Sequence, residues 1–212
     1  MPYTRIKICG ITRPEDAQVA AAQGADAIGL VFYAKSSRAV EIGQAREIAA
    51  AVPPFVSIVA LFVNEPAETI ERILSAVSID TIQFHGDESA DFCEQFQRPY
   101  LKAIRVRPDL DLAEAAAPYG AARAILLDSW QQGVPGGTGK KFDWQLADTL
   151  RHLPVVLAGG LTEENVGEAI ATLAPAAVDV SGGVEKSPGI KDEFRISNFI
   201  RAVRWADSQK QR

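Results

Sequence analysis

Short apolar runs alternate with amphipathic stretches along the whole chain, and this rhythm limits the fold more than any other feature. The runs span residues 6–9, 27–32, 56–63, 80–85, 101–106, 124–128, 155–158 and 178–181. The stretches that follow them span 14–23, 43–51, 66–77, 88–96, 112–119, 142–150, 162–173 and 192–205. Near-continuous apolar runs suit strands covered on both faces, as in a parallel sheet flanked by helices. About eight strand–helix units therefore predict an α/β chain closed into a single (β/α)8 TIM barrel. A doubly wound open sheet is the alternative, but an eighth unit would leave it awkwardly wide. With 212 residues, 47% of them hydrophobic, the chain can build one sizeable core if its loops are short. The barrel is expected over residues 1–206, with a polar, frayed tail over 207–212.

Charge and cysteine content narrow the function. The net charge is -5 and no basic block stands out, which argues against nucleic acid or an anionic membrane as partner. Two cysteines, Cys9 and Cys93, are too few for a disulfide framework or a four-ligand zinc site, so a reducing, cytoplasmic setting is expected. No targeting segment opens the sequence, and no apolar run approaches the ~20 residues of a membrane span. No obligatory protein partner is evident. Any anionic ligand must be held locally.

The first run carries the chemistry. In Lys7-Ile8-Cys9-Gly10-Ile11-Thr12 a strand delivers a cysteine onto a glycine turn, and Pro14-Glu15-Asp16 opens a helix. Alternation along a strand puts Lys7 and Cys9 on one face and Ile6 and Ile8 on the other. The longest loop, 129–141, follows an acid, Asp128, at the end of the sixth run. Loops of that length in a compact domain are commonly lids or binding loops. In a barrel the strand ends form the catalytic face, so Cys9 and Asp128 open onto one mouth. A thiol and a carboxyl facing one ligand suit proton shuttling, one taking a proton from carbon while the other gives one to oxygen.

An anion site is expected between the last two units. Gly159-Gly160-Leu161-Thr162 follows the seventh run, with Thr162 as the expected N-cap of a helix starting at Glu163-Glu164. Ser181-Gly182-Gly183 follows the eighth, and glycines at both places let backbone N–H groups approach a phosphate. Arg38 adds a guanidinium fork suited to a planar carboxylate. Gln83 and His85 alternate with apolar neighbours and point together toward the interior. Cys93 reads as helix core, His152 as a solvated helix-end residue, Trp130 as a cover for a ligand, and Trp144 and Trp205 as packing.

These residues match a known family. The sequence resembles the phosphoribosylanthranilate isomerases of tryptophan biosynthesis in Lys7-Ile8-Cys9-Gly10-Ile11, Ser37-Arg38, Gln83-Phe84-His85-Gly86, Leu126-Leu127-Asp128-Ser129 and Gly136-Gly137-Thr138-Gly139. The likeness continues through Leu157-Ala158-Gly159-Gly160-Leu161, Val178-Asp179-Val180-Ser181-Gly182-Gly183-Val184-Glu185 and Pro188-Gly189. It implies a cofactor-free, metal-free Amadori rearrangement of N-(5-phosphoribosyl)anthranilate to 1-(2-carboxyphenylamino)-1-deoxyribulose 5-phosphate. Asp128 would be the general acid and Cys9 the general base. Arg38 would meet the anthranilate carboxylate and Asp179 the sugar, with Lys7, Gln83 and His85 lining the same site and Gly159, Gly160, Ser181, Gly182 and Gly183 around the phosphate. Gly182 stands where many members carry a second serine, and Phe84 replaces a common leucine.

Protonation is the difficulty in that reading, because a thiol near its ordinary pKa of ~8.5 is only a few per cent thiolate at neutral pH. Lys7, on the same strand face, is expected to lower it. Two rivals remain. The histidine-pathway isomerase catalyses the same chemistry but should show half-barrel repetition and an acid in place of Cys9. A barrel that only binds a phosphorylated metabolite would need neither Cys9 nor Asp128.

Overall fold

The structure, a computed structural model, describes residues 3–107, 109–129, 150 and 153–209. The expected lid beyond Ser129, the helix expected from 142, Trp130, Trp144 and His152 lie outside the described residues. In chain order the elements are β1 (Arg5–Cys9), α1 (Pro14–Gln23), β2 (Ala27–Phe32), α2 (Ile42–Ala51), β3 (Ser57–Phe62), α3 (Ala67–Ala76), β4 (Thr81–Phe84), α4 (Ala90–Glu94) and β5 (Tyr100–Val106). They continue with α5 (Leu112–Ala116), β6 (Ala124–Ser129), β7 (Val155–Ala158), α6 (Val166–Leu173), β8 (Ala177–Val180), β9 (Glu185–Ser187), β10 (Ile190–Lys191) and α7 (Glu193–Gln209). Strands β1 to β8 pair in sequence order and close into a barrel, all in parallel.

Parity along the strands sorts the core into an outer shell and an interior. Ile6, Ile8, Ile28, Leu30, Phe62, Ile82, Phe84, Ile125, Leu127 and Val178 face outward and pack on Ala17, Ile48, Ile70, Cys93, Ala169 and Phe199 from the helices. The interior holds two smaller apolar patches, one from β5 to β7 (Ala103, Ala124, Leu126, Val156, Ala158) and one from β1 to β3 (Cys9, Val31, Leu61). Lys7, Gln83 and Asp179 are buried polar side chains of the same inward-facing parity. A buried ammonium, amide and carboxylate need partners, and so the barrel interior is where chemistry is to be sought.

Local signals fix several elements. Pro14 starts α1 at its first turn, where its missing N–H is harmless, and Gly24, with φ 101°, ends it in the left-handed region. At the opposite end of the barrel from the strand tips, Asp26 accepts from the Ile6 N–H at 2.9 Å and Asp80 from the Ile58 N–H at 2.7 Å, tying each turn to the neighbouring strand.

Three expectations are corrected. Helix α6 begins at Val166, not at Glu163, and Thr162 does not cap it. The Asn165 side chain turns back instead, accepting from the Thr162 N–H at 2.8 Å and donating to the Gly160 carbonyl at 2.9 Å, which builds a turn where the helix was expected. The polar tail does not start at 207, because α7 runs to Gln209 and the buried Asp207 carboxylate accepts from the Thr4 N–H at 2.8 Å and the Thr4 hydroxyl at 2.7 Å. Trp205 does not pack; it is 70% exposed on α7. Cys93, by contrast, is helix core, and burial pushes its thiol up to about 12. No helix among the described residues is long and apolar enough to cross a membrane.

Candidate active site

β1 carries Lys7 and Cys9 inward on one face. Cys9 and Gly29 are register partners, and a Cβ at Gly29 would lie 2.7 Å from Cys9 Sγ and 3.1 Å from Lys7 Cε. Glycine on β2 thus makes the room in which thiol and ammonium sit. Lys7 is also the register partner of Asp179 on β8, and its Nζ donates to Asp179 Oδ2 at 2.9 Å. Among the described residues the second oxygen, Asp179 Oδ1, is buried with no hydrogen-bond partner. A buried carboxylate oxygen left free in the barrel is an acceptor waiting for a ligand hydroxyl.

The charge on Cys9 runs against the sequence expectation. Burial pushes its thiol up, Lys7 pulls it down, Asp179 pushes it up again, and the sum is a pKa above the ordinary value. Lys7 does act on the thiol in the expected sense, but its ammonium is shared with Asp179 and cannot overcome desolvation. Burial also works against the Lys7 ammonium, yet Asp179 and Cys9 together hold its pKa above the ordinary lysine value.

A second chain of groups crosses β4 and β6. Gln83 Nε2 lies 3.0 Å from His85 Nδ1, and His85 Nε2 lies 3.1 Å from Asp128 Oδ2. With the amide donating to Nδ1, the imidazole carries its proton on Nε2 and presents it to Asp128 Oδ2. Gln83 is fully buried, so the ring it holds is fixed from inside the barrel. Arg105 on β5 is the register partner of Asp128 and is exposed, adding a cation to the wall of the mouth.

A third cluster stands over the ends of β1 and β8. Arg38 Nε and Nη2 donate to Glu185 Oε1 and Oε2, both at 2.7 Å. Lys191 Nζ donates to Glu185 Oε1 at 3.0 Å and to the Ser181 carbonyl at 3.2 Å. Burial disfavours the Glu185 anion, but the Arg38 hydrogen bonds and the Lys191 charge outweigh it and hold the carboxyl below its ordinary pKa. Burial pushes the Lys191 ammonium down, against the pull of Glu185. Gly10, with φ 72°, lets the Arg38 stem cross the end of β1, because a Cβ there would lie 2.5 Å from Arg38 Cδ and 2.9 Å from Ser181 Oγ.

The two glycine loops meet one another. Gly159 and Gly160 have φ of 83° and 63°, a conformation that strains any side-chain-bearing residue. After β8, residues Gly182–Val184 form a single 3-10 turn, and a Cβ on Gly183 would lie 2.0 Å from the Leu161 carbonyl oxygen. Only glycine at 183 lets the loops after β7 and β8 close on each other.

The fold therefore brings Lys7, Cys9 and Asp179 into one contact group, Gln83, His85 and Asp128 into another, and Arg38 against the Ser181–Gly183 loop. Sequence reading missed Glu185 and Lys191 as site residues. The Pro188-Gly189 pair between them is a turn signal for the β9–β10 hairpin that joins them. It also missed the buried Lys102, whose Nζ lies 2.8 Å from Glu88 Oε2 and 2.8 Å from the Gly86 carbonyl, bracing the loop that follows His85. Among the described residues no three histidine, cysteine or acidic side chains converge as a metal site.

Comparison with known proteins gives a consistent result. The family model for N-(5'-phosphoribosyl)anthranilate isomerase matches residues 6–202. A relative of that name from Pseudomonas aeruginosa (strain LESB58) is 61% identical over 204 residues, covering 96% of this chain and 97% of the relative. The crystal structure of phosphoribosyl anthranilate isomerase from Thermotoga maritima aligns with a TM-score of 0.89 at 42% identity, covering 95% of this chain and 99% of the other. A crystal structure of such an isomerase in complex with reduced 1-(o-carboxyphenylamino)-1-deoxyribulose 5-phosphate aligns with a TM-score of 0.85 at 40% identity, over 95% and 99% of the two chains.

Proposed function

Because the chain belongs to the N-(5'-phosphoribosyl)anthranilate isomerase family of tryptophan biosynthesis, we propose that its barrel converts that substrate to 1-(2-carboxyphenylamino)-1-deoxyribulose 5-phosphate with Cys9 as general base and Asp128 as general acid. The observation that carries this assignment is the placement of the two groups. Each stands at the mouth end of its strand, and each is in contact with a partner able to steer a proton, Lys7 for Cys9 and His85 for Asp128.

The chemistry follows from those positions. Asp128 gives its proton to the ribose ring oxygen, the C1–O bond breaks, and the nitrogen lone pair forms a protonated Schiff base. The Cys9 thiolate takes the proton from C2, and the electron pair neutralises the iminium as an enolamine. When C1 gains a proton and the C2 hydroxyl loses one, the ketone is formed and both protein groups can return to their starting states. Asp179 Oδ1, without a partner among the described residues, accepts a hydrogen bond from a sugar hydroxyl. Arg38 receives the anthranilate carboxylate.

The phosphate rests on main-chain N–H groups of Gly159, Gly160, Ser181, Gly182 and Gly183, which lets an acidic protein bind an anion without a basic surface. Inorganic phosphate is then expected to compete with substrate in steady-state assays. Gly183→Ala, which drives a methyl group into the Leu161 carbonyl, and a bulky residue at Gly160 are each expected to raise KM at least about tenfold. An unchanged KM in both variants moves the phosphate elsewhere.

The direct test of the function is fluorescence-monitored consumption of phosphoribosylanthranilate by the purified protein. Turnover by the wild type is the expected result. Binding of the substrate without turnover identifies a non-catalytic barrel and rejects the assignment.

A further inference from the structure

We propose that Glu185 is a positioning residue for the reaction, holding Arg38 so that one defined edge of its guanidinium faces the substrate carboxylate. The proposal rests on Arg38 being the carboxylate's partner, as argued above, and goes beyond it by naming what orients Arg38.

A guanidinium has five N–H donors arranged along two usable edges. Glu185 takes the side edge of Arg38, with Nε and Nη2 both at 2.7 Å from its two oxygens. Among the described residues no group takes the end edge, made by Nη1 and the second N–H of Nη2, and it can form a second two-bond fork with one more planar carboxylate. A free arginine on a loop would have to lose its rotamer freedom on binding. Here that ordering is done in advance by a side chain 147 residues away in sequence.

Glu185 is itself held. Its Oε1 also accepts from Lys191 Nζ at 3.0 Å and from the Gly189 N–H at 3.2 Å, so the β9–β10 hairpin fixes the carboxylate from behind. Lys191 reaches on to the Ser181 carbonyl at 3.2 Å, in the loop assigned to phosphate. With two cations and one anion, the cluster keeps a net single positive charge facing an anionic substrate. Glu185 thus offsets the repulsion between Arg38 and Lys191 while leaving a net attraction for the ligand in place.

The experiment is a double-mutant cycle on KM and kcat, using phosphoribosylanthranilate and its carboxylate-free analogue N-(5-phosphoribosyl)aniline. Arg38→Met is expected to raise KM for the natural substrate by a factor of ten to one hundred. Glu185→Gln should raise it about tenfold with kcat within about twofold, change KM for the aniline analogue by a much smaller factor, and add nothing when combined with Arg38→Met. Should Arg38→Met itself leave KM untouched, Arg38 does not bind the carboxylate and the underlying assignment fails. If Arg38→Met raises KM while the Glu185→Gln effect multiplies with it, is absent, or appears equally with the aniline analogue, the positioning role is overturned and the assignment of Arg38 stands. Arg38→Lys tests the same point without disturbing Glu185. Lysine keeps the charge but cannot serve two carboxylates as forks, so it should behave like methionine, and a wild-type KM in this variant also overturns the proposal.

Discussion

Cys9→Ala is expected to lower kcat by about 10²–10⁴-fold, the usual contribution of a positioned general base, while affinity for the product changes little. Asp128→Asn should fall by a similar factor, for a different reason. Asparagine can still accept from His85 Nε2 through its carbonyl oxygen, so the ring stays where Gln83 holds it, but the amide has no acidic proton to give the ring oxygen. Neither change should unfold the barrel. Cys9→Ala removes one sulfur from an interior patch with Val31 and Leu61, a cavity costing on the order of 1 kcal/mol. Steady-state kinetics with product inhibition separates the two quantities. A variant with near wild-type kcat removes its residue from the mechanism, and a product affinity that collapses with kcat reassigns it to binding.

What was legible beforehand follows a physical line. The eight-fold rhythm and the shared face of Lys7 and Cys9 were readable because a strand has a period of two and a barrel strand is covered on its outer side. The paired glycine loops were readable for a similar reason, since positive φ at Gly159 and Gly160 selects the residue type directly. Contacts between distant elements leave no such trace. Arg38 and Glu185 meet across 147 residues, and nothing periodic marks either as the other's partner. Thr162 carried a good capping signal and lost to Asn165, whose side chain found backbone partners in the preceding loop. Asp207 looked like tail because it is polar and near the end, yet Thr4 at the other terminus makes it part of the barrel. Lys7 shows the same limit in its energetics. Parity placed it beside Cys9, but only the fold shows that Asp179 competes for its charge.

That competition sets the sign of the second large effect, the replacement of Lys7 by methionine. Methionine keeps the length and removes the charge, leaving Asp179 buried with neither oxygen paired among the described residues. Removing one member of a buried pair typically destabilises by about 3–5 kcal/mol, so the thermal midpoint should drop by roughly 6–20 °C. The Lys7 pKa is raised in the fold, so its stabilisation is complete below the ordinary lysine pKa and is lost only as pH climbs through the folded value. Between pH 6 and 8 the Lys7 ammonium itself therefore adds no pH dependence to stability. The pH dependence of activity does change. The Cys9 thiol already sits above its ordinary pKa through burial, and Lys7 is the first of the influences pulling it down. Without that pull, burial and Asp179 act together, and the limb of the kcat/KM profile that rises with thiol ionisation should move to higher pH. Asp179→Asn should move the same limb the other way, because it removes the carboxylate that raises the thiol and releases Lys7 to it. Opposite shifts of the limb in the two variants identify Lys7 as an electrostatic support of the base. A limb that stays in place in Lys7→Met ends that role and leaves Lys7 as the structural partner of Asp179.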